Sequence, residues 1–449
     1  MLKALRDVSL HRQVFALALP MVLSNITVPL LGLVDAAVIG HLDHAWYLGG
    51  VAVGGTMMNV TFWLLGFLRM ATTGLSAQAY GASDKEAQAG VFVQGIAMAG
   101  LLALLLIAFH QPVADAVFHF SSASAEVKTY AEQYFSIRIW GAPAALANLV
   151  IMGWLLGTQN ARLPMWLLII TNVVNIVLDM LFVLGFGWKV QGAAGASVLA
   201  DYSGLGLGLW FVSRVWLSQA LPRLREKISS VRHGMGRLLK LNRDIFLRSL
   251  CLQLAFTFMT FQGATLGDNV VAANAVLMSF LMLVSYAMDG FAYAMEALVG
   301  KAIGARNRDA LGRSLVGTTF WSLMISLVLT LAFTLFGRDV IGLISDIPEV
   351  REEAAQYLPW LAAVPIVSMW CFLLDGIFIG ATRGSEMRNS MFVATCCFFT
   401  IWWLLSSWGN HALWGAMLGF MAMRGIGLAV IFVYQWQKNI FLEPASTNN

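Results

Sequence analysis

Charge is what this sequence has least of. Only 12% of its 449 residues are Asp, Glu, Lys or Arg, while 59% are hydrophobic. A water-soluble chain cannot cover its surface with so few charges. The net charge of +4 offers no basic face for nucleic acid. Four cysteines (Cys251, Cys371, Cys396 and Cys397) all fall in apolar stretches, without metal-ligand spacing, so packing is their expected role and neither a disulfide nor a metal site is expected. The seven histidines are scattered, and no D-x-x-D or H-E-x-x-H arrangement occurs. That removes the clustered metal-binding carboxylates of an intramembrane prenyl or glycosyl transferase. No enzyme chemistry and no cofactor are expected.

What is present is a succession of uncharged runs long enough to cross the ~30 Å hydrocarbon core of a bilayer. Spans are expected near 13–39, 47–77, 88–109, 127–157, 162–186, 192–217, 235–262, 270–302, 313–336, 350–380, 386–408 and 412–437, twelve in all. Lys3, Arg6 and Arg12 precede the first run much as the charged start of a signal peptide would. The run is too long for one, and a retained helix is the better reading. Most lysines and arginines fall on the side that carries both termini; the opposite side holds Lys128, Arg138, Lys189, Arg338 and Arg351. The positive-inside rule then places both termini in the cytoplasm.

The chain repeats itself. "LSAQAYGASDKEA" at 75–87 matches "LVGKAIGARNRDA" at 298–310, an offset of 223 that also carries Gly40 to Gly263, Tyr134 to Tyr357 and Gly157 to Gly380. Two six-helix lobes follow, 1–220 and 235–449, joined by a basic cytoplasmic connector at 221–234. Six is even, so both lobes enter the membrane the same way round. The expected architecture is all-α, a polytopic membrane protein with a pseudo-twofold along the membrane normal and a central cavity. The stretch "RLREKISSVRHGMGRLLKLNRD" reads as an amphipathic strip on the inner leaflet, held by membrane lipids.

Ionisable residues inside spans are functional candidates by default, because a buried unpaired charge is expensive. The first lobe has Asp35, Asp179, Asp201 and Arg69; the second has Asp289, Glu296, Asp375 and Arg424. Asn172, Asn175 and Asp179 stand at i, i+3 and i+7, on one helix face. Such a stripe belongs in a lobe interior, either as a site or as glue between helices. The repeat provides a control: at the offset of 223, Asp35 becomes Phe258, Asn172 Thr395, Asn175 Phe398 and Asp179 Trp402, and at the offset of 220 by which "GASVLAD" (195–201) meets "GAMLGFM" (415–421), Asp201 becomes Met421. The shared scaffold does not need those polar groups, which argues for an asymmetric ion or proton site in the first lobe. Pro20 and Pro29 share a helix with Asp35 and permit a bend. Asp201 reads equally as part of the pocket or as a structural hydrogen-bonding group. Asp289 and Asp375 form a rival second-lobe constellation. Arg69 and Arg424 read as interhelical pairing partners, and Glu296 as a group near a cytoplasmic end, solvated or paired.

The segments "ALPMVLSN", "VDAAVIGHL", "QAYGASDKEA", "GTQNARLP", "MDGFAYAMEALVGKAIGA" and "LLDGIFIGATRGSEMRNS", in this order, resemble the multidrug and toxic compound extrusion (MATE) family, and within it the DinF-like branch. The resemblance implies a secondary antiporter that exports amphipathic, often cationic, drugs in exchange for protons or Na⁺. It implies that Asp35 and Asp179 share a first-lobe pocket with Asn175 and Asn148, and that Pro20 is where the first helix bends. Asp375 matches a second-lobe Na⁺-binding aspartate of other members, but Gln253 stands where those members have a glutamate; protons are therefore favoured as the coupling ion. The expected setting is a bacterial cytoplasmic (inner) membrane and a monomer, with organic cations as cargo. Two rivals remain: Na⁺ coupling within the same family, and a flippase for lipid-linked precursors, which should carry more cationic residues inside its first lobe.

Overall fold

A computed structural model describes residues 2–229 and 231–443. Every long element among the described residues is an α-helix, as expected of apolar runs in lipid, where each backbone N–H and C=O must be satisfied within its own segment. The first half comprises α1 (Val8–Gly40), α2 (Ala45–Leu64), α3 (Phe67–Gly81) and α4 (Lys85–Phe120). It continues with α5 (Ala125–Arg138), α6 (Ala142–Gly157), α7 (Arg162–Asp179) and α8 (Lys189–Ser218). After the short α9 (Leu224–Ile228) come α10 (Met235–Ala264), α11 (Asp268–Gly304), α12 (Arg308–Ile344) and α13 (Pro348–Ala355). The chain ends with α14 (Leu358–Gly380), α15 (Gly384–Leu404) and α16 (Asn410–Gln437).

Ten helical segments among the described residues are long and apolar enough to cross a membrane. α8 and α15 are less apolar and occupy the places expected for the sixth and eleventh spans. Three expected spans are interrupted: the second at Leu65–Gly66, the fourth by a 3₁₀ turn at Ile139–Gly141, and the tenth at Gln356–Tyr357. α1 runs unbroken through Pro20 and Pro29.

The repeat is visible in backbone detail. Asp84 caps α4 by accepting from the Ala87 N–H at 3.0 Å, and Asn307, one offset on, caps α12 by accepting from Ala310 at 3.0 Å. Ser83 and Arg306 both take a left-handed φ (54° and 51°), as do Gln159 and Thr382 (68° and 55°), each closing a helix C-terminus. Small residues let the paired helices meet at the same points. A Cβ on Gly376 would lie 2.7 Å from the Ala292 carbonyl oxygen, and Gly153 packs against the equivalent carbonyl of Arg69. A Cβ on Gly157 would lie 2.6 Å from Ser76 Cβ, and one on Gly380 3.1 Å from the Cβ of Val299, the equivalent of Ser76.

The compact units do not follow the 1–220 and 235–449 division. One consists of Met1–Val22 with Leu239–Asn449, the other of Leu23–Leu238, so the boundary falls inside α1. In the first unit, Leu10 packs on Gly317 and Val22 on Gly290, Phe15 meets Trp321 at 4.6 Å, and the Trp321 indole donates to His11 Nδ1 at 2.9 Å. These contacts bind the start of α1 to the second repeat. In the other unit the connector is tied down by polar contacts: Lys227 pairs with Glu86, Gln94 donates to the His233 carbonyl, and Arg237 donates to Gln78 at 3.2 Å.

Candidate functional site

Within the unit formed by Leu23–Leu238, α1 and α7 meet at two levels. Asn172 Nδ2 donates to Thr27 Oγ1 at 2.7 Å, and that hydroxyl donates to the Ser24 carbonyl at 2.6 Å. Seven residues further along α7 and eight further along α1, the carboxyl groups of Asp179 and Asp35 come within hydrogen-bonding reach of each other. At ~1.5 Å rise per residue the two rungs are ~10–12 Å apart on parallel helices, as odd-numbered spans must be. Two carboxyl groups can hydrogen-bond only with a proton between them, because an ionised carboxylate is acceptor-only. Asp179 is 1% exposed and Asp35 half-buried. Asp35 Oδ1 and Asp179 Oδ2 are buried and accept no hydrogen bond among the described residues.

Asp179 is the last residue of α7, and a π-helical turn, Met180–Gly185, follows it directly. Such a change of winding adds a residue to the turn and recurs at functional positions of helices. The ring of Phe182 within this turn and those of Phe186 and Trp188 just after it pack on one another at 5.0–6.0 Å.

The other expected members divide. Asn175 hydrogen-bonds Ser197 across α7 and α8 at 3.3 Å, and Ser197 also bonds Tyr134 of α5, whose phenol is close enough to feel both acids. Asn148 is turned elsewhere: its Nδ2 donates to the backbone carbonyl of Asp201 at 3.1 Å. Asp201 is committed to Arg138, whose Nη1 donates to its Oδ2 at 2.6 Å. Of the two readings open for Asp201, the structural one describes its contacts.

Sequence reasoning missed Arg138, Ser197 and the part played by Tyr134. Arg138 had been assigned to the outer surface, yet it lies thirteen residues into the Ala125–Gly157 segment with its side chain 13% exposed. Its partner, Asp201, explains the placement. Arg248, which the sequence puts with the majority of basic residues on the side of the termini, is a second correction: it is buried in α10. Glu296, read as solvated or paired, is 1% exposed.

In the other unit, Asp375 accepts from Arg248 and, at 2.9 Å, from Arg424 Nη2, so Arg424 is the pairing partner the sequence suggested. Asp289 acts electrostatically on the same Arg424. Gln253 donates to Thr257 on its own helix at 3.1 Å. Of the three residues expected as a second cation site, Asp375 is therefore already supplied with two guanidinium charges. Arg69 is buried and donates to Thr73 at 3.4 Å.

One repeat on from the acid pair, the scaffold holds rings. Phe258 and Trp402 meet edge to face at 4.9 Å, with Phe398, the equivalent of Asn175, 6.0 Å from Phe258. The same helix contact is made twice in the chain, once by carboxylates and once by aromatics.

Comparisons with known proteins agree with this architecture. The chain is 47% identical to DNA damage-inducible protein F of Escherichia coli, over 96% of this chain and 94% of that protein. It is 24% identical to the probable multidrug resistance protein NorM of Thermotoga maritima, over 96% and 94% of the two chains. Its fold matches a MATE crystal structure in the bent conformation with a TM-score of 0.86, at 21% identity and 98% coverage of both chains. It matches equally, at TM-score 0.86 and 22% identity over 97% of both chains, an outward-facing multidrug resistance MATE transporter of the MOP superfamily. The MatE family model matches residues 20–181 and 245–401. With most of its length and both repeats covered, the chain belongs to the MatE family of membrane transporters, and it is a multi-pass membrane protein rather than an enzyme.

Proposed function

We propose that this chain is a secondary antiporter that exports amphipathic organic cations in exchange for protons, with Asp35 and Asp179 as the coupling pair. The observation that carries the reading is the contact between those two carboxyl groups, set against the ring pair Phe258 and Trp402 at the equivalent place. A dry pair of acids cannot easily hold two negative charges. It holds either one shared proton or, when both are ionised, a cation. Proton and cationic drug then compete for one place, which is what exchange requires. Asn175, Ser197 and Tyr134 hydrogen-bond one another beside the pair, and Asn172 fixes α1 to α7 one level away. Protonation removes charge from the pocket and lets α1 bend at Pro20, which releases the cargo outward; deprotonation restores the site.

Sodium coupling in the second repeat is disfavoured because Asp375 is already answered by Arg248 and Arg424. A flippase for anionic lipid precursors calls for free cationic groups in the first repeat, and Arg138 there is spent on Asp201. We place the protein in the bacterial cytoplasmic membrane as a monomer surrounded by lipid, with no cofactor and both termini in the cytoplasm. The lysine and arginine bias still supports that orientation once Arg138 and Arg248 are removed from the tally.

Ethidium or norfloxacin efflux from vesicles, driven by an imposed pH gradient or an imposed Na⁺ gradient alone, tests the proposal. The pH gradient alone should drive efflux, and Asp35→Asn or Asp179→Asn should abolish it while leaving membrane insertion intact. Efflux driven by Na⁺ alone, or full resistance in cells carrying either variant, would overturn it.

A further inference from the structure

The 3₁₀ turn at Ile139–Gly141 is a built feature. α5 loses its α-helical winding immediately after Arg138, and at that point it is tied to α8 twice: Arg138 to Asp201 at 2.6 Å, and the Tyr202 hydroxyl to the Trp140 carbonyl at 2.8 Å. Gly141 makes the approach possible, since a Cβ there would lie 2.7 Å from Arg138 Nη1 and 3.1 Å from Asp201 Oδ2. The guanidinium also sits over the Phe62 ring at 5.2 Å. At the offset of 223, Arg138 becomes Leu361 and Gly141 Val364, and at the offset of 220 that holds after the shorter loop Asp201 becomes Met421, all buried. The scaffold therefore packs without this ion pair in the repeat that has no acid pair, and carries it in the repeat that does.

Arg138 is also close enough to act electrostatically on Asp35. Left to itself, a largely buried arginine within electrostatic reach of Asp35, whose Oδ1 has no hydrogen-bond partner among the described residues, would pair with that carboxylate, since a guanidinium remains charged and binds carboxylate through two parallel bonds. The acid pair would then be permanently occupied by a cation of the protein's own. We propose that Asp201 is a positioning residue that holds Arg138 off the Asp35 and Asp179 pair, so that the pair stays open to a proton or a cationic cargo. Other titratable groups on the surrounding helices are Tyr134 and Tyr130 on α5, Tyr47 on α2, His110 on α4 and Lys189 at the start of α8. Lys189 donates to the Tyr47 hydroxyl at 3.0 Å, and His110 Nδ1 donates to the Ile107 carbonyl of its own helix at 2.6 Å, so neither offers Arg138 a carboxylate.

This inference rests on the coupling role of Asp35 and Asp179, and the two fail differently in one experiment. Ethidium transport by the full chain in proteoliposomes is measured against pH and ethidium concentration for D201N, R138Q, R138Q/D201N, D35N and D179N. Freed from Asp201, Arg138 should close the site in D201N, raising the KM for ethidium at least about tenfold and flattening the pH profile. R138Q leaves one more negative charge near the pair and should lower the KM. The double variant should recover transport and its pH dependence. A purely structural ion pair would move both single variants the same way, with no recovery in the double variant, and would overturn the inference. If D35N and D179N keep pH-driven transport, the coupling reading falls and this inference falls with it.

Discussion

The rings of Phe258 and Trp402 pack edge to face, 4.9 Å between centroids, at the places one repeat on from Asp35 and Asp179. One backbone geometry thus supports a stable apolar contact and a costly polar one. The carboxyl oxygens left without partners are a stability liability that only function explains. Asp35→Asn and Asp179→Asn should therefore unfold no more readily than the parent in detergent while losing coupled efflux. Phe258→Asp, which introduces a lone acid at the other copy, should destabilise the fold by ~2.5–3.5 kcal/mol, read from thermal unfolding.

Competition between proton and drug fixes a sign for the pH dependence of binding. If each bound ethidium displaces the shared proton, affinity must rise with pH and level off once the pair is ionised. Fluorescence polarisation of ethidium should show that rise in the parent and a flat profile in D35N. An affinity that falls with increasing pH would contradict a competing proton.

Asp375 serves two buried arginines, so removing its charge strands both. Asp375→Asn should cost ~3–5 kcal/mol by thermal unfolding, because the arginines are left desolvated and uncompensated. The shape of the pH profile for transport should survive in whatever fraction of the variant folds. An altered coupling ion in this variant would restore the second-repeat cation site.

Asn172 and Thr27 tie α7 to α1 at 2.7 Å. Interhelical hydrogen bonds of this kind are modest in membranes, and a double-mutant cycle with Asn172→Ala and Thr27→Val should give a coupling energy of ~0.6 kcal/mol. A value near zero would mean the rung contributes no net stability beside the acid pair.

The glycines at the repeated contacts make a symmetric test. Gly153→Val and Gly376→Val each drive a side chain into a neighbouring carbonyl, and each should cost ~1–3 kcal/mol or more. Similar losses at both positions are the expected result; a large loss at one and none at the other would contradict their equivalence.

Much of this was legible in the residues. The apolar runs located the spans, because in a bilayer length and hydropathy leave few alternatives, although α4 and α12 run eleven and eight residues past their expected ends at 109 and 336. The offset of 223 identified the repeat, and the polar stripe of α7 pointed inward as its cost in lipid demanded. Arg138 and Arg248 were misplaced for one reason: a single charge inside an apolar run reads as a loop unless its partner is known, and Asp201 and Asp375 are 63 and 127 residues away. The 3₁₀ turn after Arg138 and the π turn after Asp179 follow from contacts with other helices, which local propensity does not encode. Ser197 carried no signal at all in a helix rich in small residues.

The placement of the compact boundary inside α1 bears on how the protein could be divided. A fragment of residues 235–449, made alone, would lack the segment whose Leu10 and Val22 rest on Gly317 and Gly290. Two bare glycine furrows would be left facing lipid, so the duplicated halves are no longer separable by a cut in the connector. Whatever ancestral half-length protein gave rise to the repeat, its descendant has lent its opening turns to the other copy, and a viable split would have to fall after Val22 instead.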